Sequence, residues 1–346
     1  MLTVVVRAMH PRKVFRISRA ARTEVSNVFL RIAADGVIGY GEAAPNAFYG
    51  ESAADVRSRL EDARELVAGM EIETVEDIAR IWHEAWCWFA PSRAAQCALD
   101  LALWDWLAKK QGISVCELAF AEQPKPVGSF CTIGISAQEE FAEKAAELQG
   151  FPFIKLKSDR RAELEPVRYL RESTGAAIAV DANCAWAEVD IAAVSREMAN
   201  LGVVFLEQPL PPDADVAMAE KSLASELPVI ADESCVVQGD IEHLTGRFAG
   251  FNIKLVKCGG LTPALAMLRR GRELGLRTMV GCMLESSLGI AAGCVVAQHS
   301  DYADLDGAWL LRDDPFAGPT LTKGMILPSG PGFGVRPAPG LFPEDS

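Results

Sequence analysis

From residue 128 onward, short apolar runs alternate with amphipathic stretches of helical length. The runs are FCTIGI, FPFIKLK, AAIAVDAN, GVVFLEQP, LPVIADES, GFNIKLVK, RTMVGCML and SDYADLD, and each but the last is followed by a segment long enough for a helix. This pattern predicts an α/β fold, a parallel TIM-like (β/α)7-8 barrel over residues 126–314. The rival is a doubly wound open sheet. It usually has fewer strands and carries a G-x-G-x-x-G turn for a dinucleotide, and no such turn follows any of these runs.

The chain before the barrel has a different texture. Residues 1 to about 45 alternate as short strands do, with a hairpin expected around Asp35-Gly36. Helical patterns follow over 52–70, 74–89 and 92–112; in the last, Leu101, Leu103, Trp104 and Leu107 repeat at helical spacing and stop at Gly112. Residues 1–125 thus form an α+β unit of their own. The tail, 315–346, is rich in Pro and Gly and cannot make another βα unit, so it is expected to return to the N-terminal unit.

The ionisable residues near the ends of five runs are Lys157, Asp181, Glu207, Asp232 and Lys254, in steps of 24, 26, 25 and 22 residues. Steps of one βα unit place such charges at the C-terminal mouth of a barrel, where barrel active sites are built. Three consecutive strands bring the carboxylates Asp181, Glu207 and Asp232, which repel one another unless a cation sits between them. All-oxygen ligation favours Mg²⁺ or Mn²⁺ over zinc, and none of the four histidines ends a barrel strand. The bland alternative is that these acids cap helices or pair with nearby lysines.

Lys155 and Lys157 share one face of their strand and precede the acids; Lys254 follows them. Two bases facing each other across a bound substrate suit removal of a carbon-bound proton from one face and its return on the other. Such a lysine must lose roughly 4 kcal/mol of its preference for the proton, and a neighbouring ammonium with partial burial acts in that direction. Lys155 is therefore expected to tune Lys157 and to hold a substrate anion. Lys257 reads as a loop or helix-start charge.

Composition changes this picture only by exclusion. With 346 residues, half of them apolar, the chain can bury a large core, and a net charge of -13 argues against nucleic acid or an anionic membrane as partner. Nine cysteines without a C-x-x-C pair read as reduced thiols, and the five-residue apolar opening is too short for a signal or a membrane span. These features point to the cytoplasm.

The K-x-K of IKLK, the acids of VDAN, LEQP and ADES, and the lysine of NIKL together resemble the muconate lactonizing enzyme subgroup of the enolase superfamily. The resemblance covers nearly the whole chain, with the N-terminal unit and tail as a capping domain. It implies a Mg²⁺-dependent homo-oligomeric enzyme using Lys157 and Lys254 as bases and Asp181, Glu207 and Asp232 as ligands. Asp304 and Asp306 in YADLDG resemble the D-x-D of the dipeptide epimerases, which engages the substrate's α-ammonium group. That likeness implies inversion at the second residue of a dipeptide. Arg19 and Arg22 lie in the loop ISRAARTEVS that meets this residue in the family, and they favour an Ala-Glu type substrate as found in cell-wall peptide recycling. Glu285 in MLESSLG points instead to a cationic substrate group or a loop arginine, while Phe48 and Tyr49 are candidates to line the lid. The same lysines and acids also serve a muconate cycloisomerase or an o-succinylbenzoate synthase, which have no ammonium to bind. Outside the superfamily, a Schiff-base aldolase uses a barrel lysine but does not need three carboxylates.

Overall fold

The computed structural model describes residues 1–69 and 71–343; the last residue of the expected helical stretch 52–70 and the last three of the tail lie outside them. Strands β1 (Leu2–Met9), β4 (Val25–Ala34) and β5 (Val37–Ala43) form an antiparallel sheet in the order β1-β4-β5, and β2 (Phe15–Ile17) pairs with β3 (Ala20–Arg22) as a separate hairpin. The β4–β5 turn falls at Asp35 and Gly36, both at positive φ (52° and 74°), as a two-residue hairpin turn requires. Helix Arg93–Gln111 packs on β5 with nearly every side chain buried. Contact is so close that a Cβ on Gly41 would lie 1.9 Å from the Ala98 carbonyl oxygen. Two of the expected helical stretches are each split in two, into Ala53–Asp62 with Arg64–Ala68 and Val75–Glu84 with Trp86–Phe89.

After the two-residue strand β6 (Val127–Gly128), the eight apolar runs become eight parallel strands. They are β7 (Cys131–Ile133), β8 (Phe153–Lys157), β9 (Ala177–Asp181), β10 (Val203–Glu207), β11 (Val229–Ala231), β12 (Gly250–Lys254), β13 (Arg277–Gly281) and β14 (Tyr302–Asp304), in sequential order across the sheet. The two ends of this sheet meet where the Phe130 amide donates to the Ala303 carbonyl at 2.8 Å. Helices follow the strands, the one after β11 being only a turn long (Ile241–Leu244).

Register fixes the site. Lys157 faces Asp181, Asp181 faces Glu207, Lys254 faces Gly281, and Gly281 faces Asp304. Two residues earlier on the same faces, Ala179, Phe205, Ile230 and Met279 form an apolar cluster with Phe130. A strand's side chains alternate with period two, so the barrel interior is an apolar plug below a layer of charge. Lys155 is registered against the small Ala179, which leaves room for its stem to climb to the charged layer.

The tail lies against the N-terminal unit. Phe316 packs on Phe29 and Tyr40, the Phe342 ring stacks on Tyr40, and the Phe333 amide donates to Asp105 at 2.9 Å.

Candidate active site

Asp181, Glu207, Asp232, Lys155 and Lys254 are all buried at the barrel mouth. Lys155 Nζ stands 2.6 Å from Glu207, 2.7 Å from Asp304 and 3.2 Å from Asp181. Lys157 Nζ donates to Asp181 at 2.5 Å, and Lys254 Nζ donates to Asp232 at 2.8 Å. The two lysines of the K-x-K therefore share one carboxylate oxygen, Asp181 Oδ2, which screens their ammonium groups from each other. This corrects the expectation that Lys155 acts on Lys157 as a bare neighbouring charge.

Burial works against charge on Lys155 and Lys254, but the carboxylates around them outweigh it and hold both pKa values above the ordinary lysine value. Burial also opposes ionisation of Asp181, yet Lys157 and Lys155 hold it down at about 2. Glu207 goes the other way, pushed up to about 7 by burial and by the Asp181 charge. Negative charge is crowded here, and the lysines only partly offset it.

Lys257 does stand in a short helix after the strand, as its reading as a loop or helix-start charge allows, but its partners are not legible in the sequence. It is buried, and its ammonium donates to Asp232 Oδ1 at 2.6 Å and to the backbone carbonyls of Asp232, Cys235 and Asn252. Its position on the turn Leu255–Cys258, directly after β12, aims it back under the mouth. Asn252, two residues before Lys254 on the inward face, donates to Glu207 at 2.8 Å. Neither role leaves a mark in the spacing of charges.

Among the described residues, no three acidic, cysteine or histidine side chains stand close enough to hold a cation as they are. The donor chemistry nonetheless fits one. Three carboxylates stand at the ends of adjacent strands; Glu207 Oε2, buried, meets the Lys155 ammonium at 2.6 Å, and the buried Asn183 Oδ1 accepts no hydrogen bond among the described residues. A set of hard oxygens, one of them without a partner, suits Mg²⁺.

A cavity of about 590 Å³ opens above this layer. Lys157, Lys254, Asp232, Asp304 and Asp306 line it from the barrel, and Arg19, Arg22, Phe48 and Tyr49 from the cap. Asp306 accepts from the Thr132 amide at 2.6 Å and has no cationic partner among the described residues; burial and the Asp304 charge push its pKa up to about 7.

Two expected specificity residues are engaged otherwise. Arg19 donates to Glu233 at 2.5 Å and to the Asn183 carbonyl at 3.1 Å while lying 4.5 Å over the Phe48 ring, so its guanidinium fastens the β2–β3 hairpin to the barrel. Glu285 does not line the cavity. It turns back to accept from its own loop at the Met283 amide, next to Glu42, and burial with the Glu42 charge pushes it up to about 7. Arg22 is exposed at the cavity edge, and among the described residues nothing pairs with its guanidinium.

Residues 1–119 match the family model described as the mandelate racemase / muconate lactonizing enzyme N-terminal domain, and residues 137–340 match the enolase C-terminal domain-like model. The chain belongs to the mandelate racemase / muconate lactonizing enzyme family. Within it, the chain is 37% identical over 313 residues to an L-Ala-D/L-amino acid epimerase of Flavobacterium johnsoniae, covering 90% of this chain and 92% of that one. A solved enolase family member from Agrobacterium tumefaciens, with homology to dipeptide epimerases and with sodium and L-Ala-L-Glu bound, superposes with a TM-score of 0.85 at 33% identity over 95% of this chain and 97% of that one. A dipeptide epimerase from Cytophaga hutchinsonii, complexed with Mg and D-Ala-L-Val, gives a TM-score of 0.88 at 26% identity over 98% and 96%. Family membership makes the mouth of this barrel, with its paired lysines, the place to look for chemistry.

Proposed function

We propose that the protein is a Mg²⁺-dependent dipeptide epimerase that inverts the α-carbon of a dipeptide's second residue. The acid pair carries this reading. Asp304 is already paired with Lys155, whereas Asp306 lines the cavity, buried and without a cation among the described residues, so an arriving α-ammonium group supplies the missing charge. A cycloisomerase or o-succinylbenzoate synthase substrate has no such group. Similarity to proteins named as epimerases supports the same choice.

Asp181, Glu207 and Asp232 are proposed to hold the metal. Bound there, Mg²⁺ supplies positive charge that offsets the negative charge gathering on the substrate carboxylate as the α-proton leaves. Lys157 and Lys254 reach the cavity from strands separated by the three acid-bearing strands, so one removes the proton and the other returns it on the opposite face. Lys155, fully buried among Glu207, Asp304 and Asp181, orients these acids and contributes fixed positive charge. Asn252 and Lys257 hold Glu207 and Asp232 in place.

Arg22, exposed on the cavity edge, favours an acidic second residue and thus an Ala-Glu type substrate. Residues 1–125 with 315–346 act as the cap and 126–314 as the barrel. The proposal extends to a homo-oligomer, which the family resemblance implies, and to the cytoplasm, which nine free cysteines favour.

The test is proton NMR of L,L-dipeptides in D₂O with Mg²⁺. Loss of the α-proton signal of the second residue, abolished by EDTA and absent in Lys157→Ala, is the expected result. No exchange in any dipeptide, with metal shown to be bound, defeats the proposal.

A further inference from the structure

We propose that a second cavity beside the reaction site receives the side chain of the dipeptide's first residue, so that the enzyme accepts large apolar residues there. The inference rests on the dipeptide reading above and deepens it. This cavity, of about 410 Å³, lies between the segment leading into the β2–β3 hairpin, the first βα unit and the turn after β14. It shares Phe15, Thr132 and Leu310 with the main cavity, so these three side chains are the wall between the two spaces.

Thr132 fixes the geometry. Its amide donates to Asp306 at 2.6 Å and its hydroxyl lies 3.4 Å from Asp304. A dipeptide whose ammonium group is held by this acid pair therefore has its first α-carbon beside Thr132. From there the first side chain has two directions, back over the lysines or across the shared wall into the second cavity.

The chemistry of that cavity is apolar. Val14, Phe15, Ile133, Leu148, Trp309 and Leu310 supply its surface. The charged groups around it are already matched. Lys13 pairs with Glu147 at 2.8 Å, Lys144 pairs with Glu140 at 3.0 Å, and Arg12 lies 5.3 Å over the Trp309 ring while donating to the Leu311 carbonyl. Both lysines are paired with acids and Arg12 is occupied by the Trp309 ring and the Leu311 carbonyl, so the remaining apolar surface suits leucine, methionine or phenylalanine rather than an ionised side chain.

The experiment measures α-proton exchange for L-Ala-L-Glu, L-Leu-L-Glu and L-Phe-L-Glu with the full-length protein and Mg²⁺. The expected result is kcat/KM for the leucine or phenylalanine dipeptide at least equal to that for the alanine one. Val14→Trp, which fills the space from the cap side, is expected to lower the Leu-to-Ala ratio of kcat/KM by tenfold or more. Leu148→Trp fills the same space from the barrel side and serves where the first variant does not fold. Turnover of L-Ala-L-Glu with the bulky dipeptides at under a tenth of its kcat/KM overturns the inference and leaves the epimerase reading standing. An unchanged ratio in a folded variant also overturns it. Exchange with no dipeptide overturns the epimerase reading itself, and this inference with it.

Discussion

Asp306→Asn isolates the group on which the substrate assignment depends. Asparagine keeps the shape and an acceptor oxygen for the Thr132 amide, now 2.6 Å from the carboxylate, so the β7–β14 seam is preserved. Assayed at pH 8 or above, beyond the raised value of about 7, what is lost is one negative charge facing the cavity. A hydrogen bond between charged groups contributes about 1.5–3 kcal/mol, which is about 10- to 150-fold in kcat/KM. The assay compares a free-amine dipeptide with its N-acetylated analogue in wild type and variant, following exchange of the second α-proton. Wild type is expected to prefer the free amine by that factor, and the variant to lose most of the preference because only the charged substrate uses Asp306. An equal fall for both substrates refutes the reasoning, since it places Asp306 in the support of the barrel mouth rather than in ammonium binding.

Arg19→Met removes the cation from buried Glu233 and frees the β2–β3 hairpin; KM is expected to rise about tenfold, the scale of one charge-assisted bond, with a smaller change in kcat, read from exchange kinetics. Glu285→Gln tests the buried acid beside Glu42. A carboxyl raised to about 7 from an unfolded value near 4.3 favours folding at low pH, and that contribution is lost as pH rises through about 4.3 to 7; the variant is therefore expected to melt higher than wild type at pH 8 and to gain least at pH 5. The same gain at both pH values refutes it. Gly41→Ala drives a methyl group into the Ala98 carbonyl and is expected to cost several kcal/mol, about 3 or more, measured by urea unfolding.

The barrel was legible because its strands are buried on both faces and read as apolar runs, and because a charge at the end of a run must lie at the mouth. The cap hairpin was legible from Asp35-Gly36 alone. Partnerships were not. Arg19 and Glu233 are 214 positions apart, and nothing in ISRAARTEVS shows that Arg19 is bound to the barrel while Arg22 is free. Glu285 reads as a strand-end residue in the sequence, yet the strand closes at Gly281 and Glu285 lies in the loop beyond it, its side chain turned back to the Met283 amide. Lys257 follows a strand end and so reads as a loop or helix-start charge; it lies in the short helix Leu255–Cys258, and its burial there is what the spacing does not report. Periodicity reports which face a residue occupies; it does not report what lies across from it.

Glu42, at the end of β5, accepts from the Ser286 amide and hydroxyl and from the Gly289 amide, at the start of helix Ser287–Ala297 in the barrel. The first amides of a helix have no partners within it, so this helix is finished by a residue 244 positions earlier in the chain. Without Glu42 the Ser286 and Gly289 amides lose their partner, whereas the Ser287 and Leu288 amides keep Asp314 and Ser286. The stability of this one barrel helix is thus coupled to the N-terminal sheet, and the two parts of the chain stabilise each other through a single buried carboxylate.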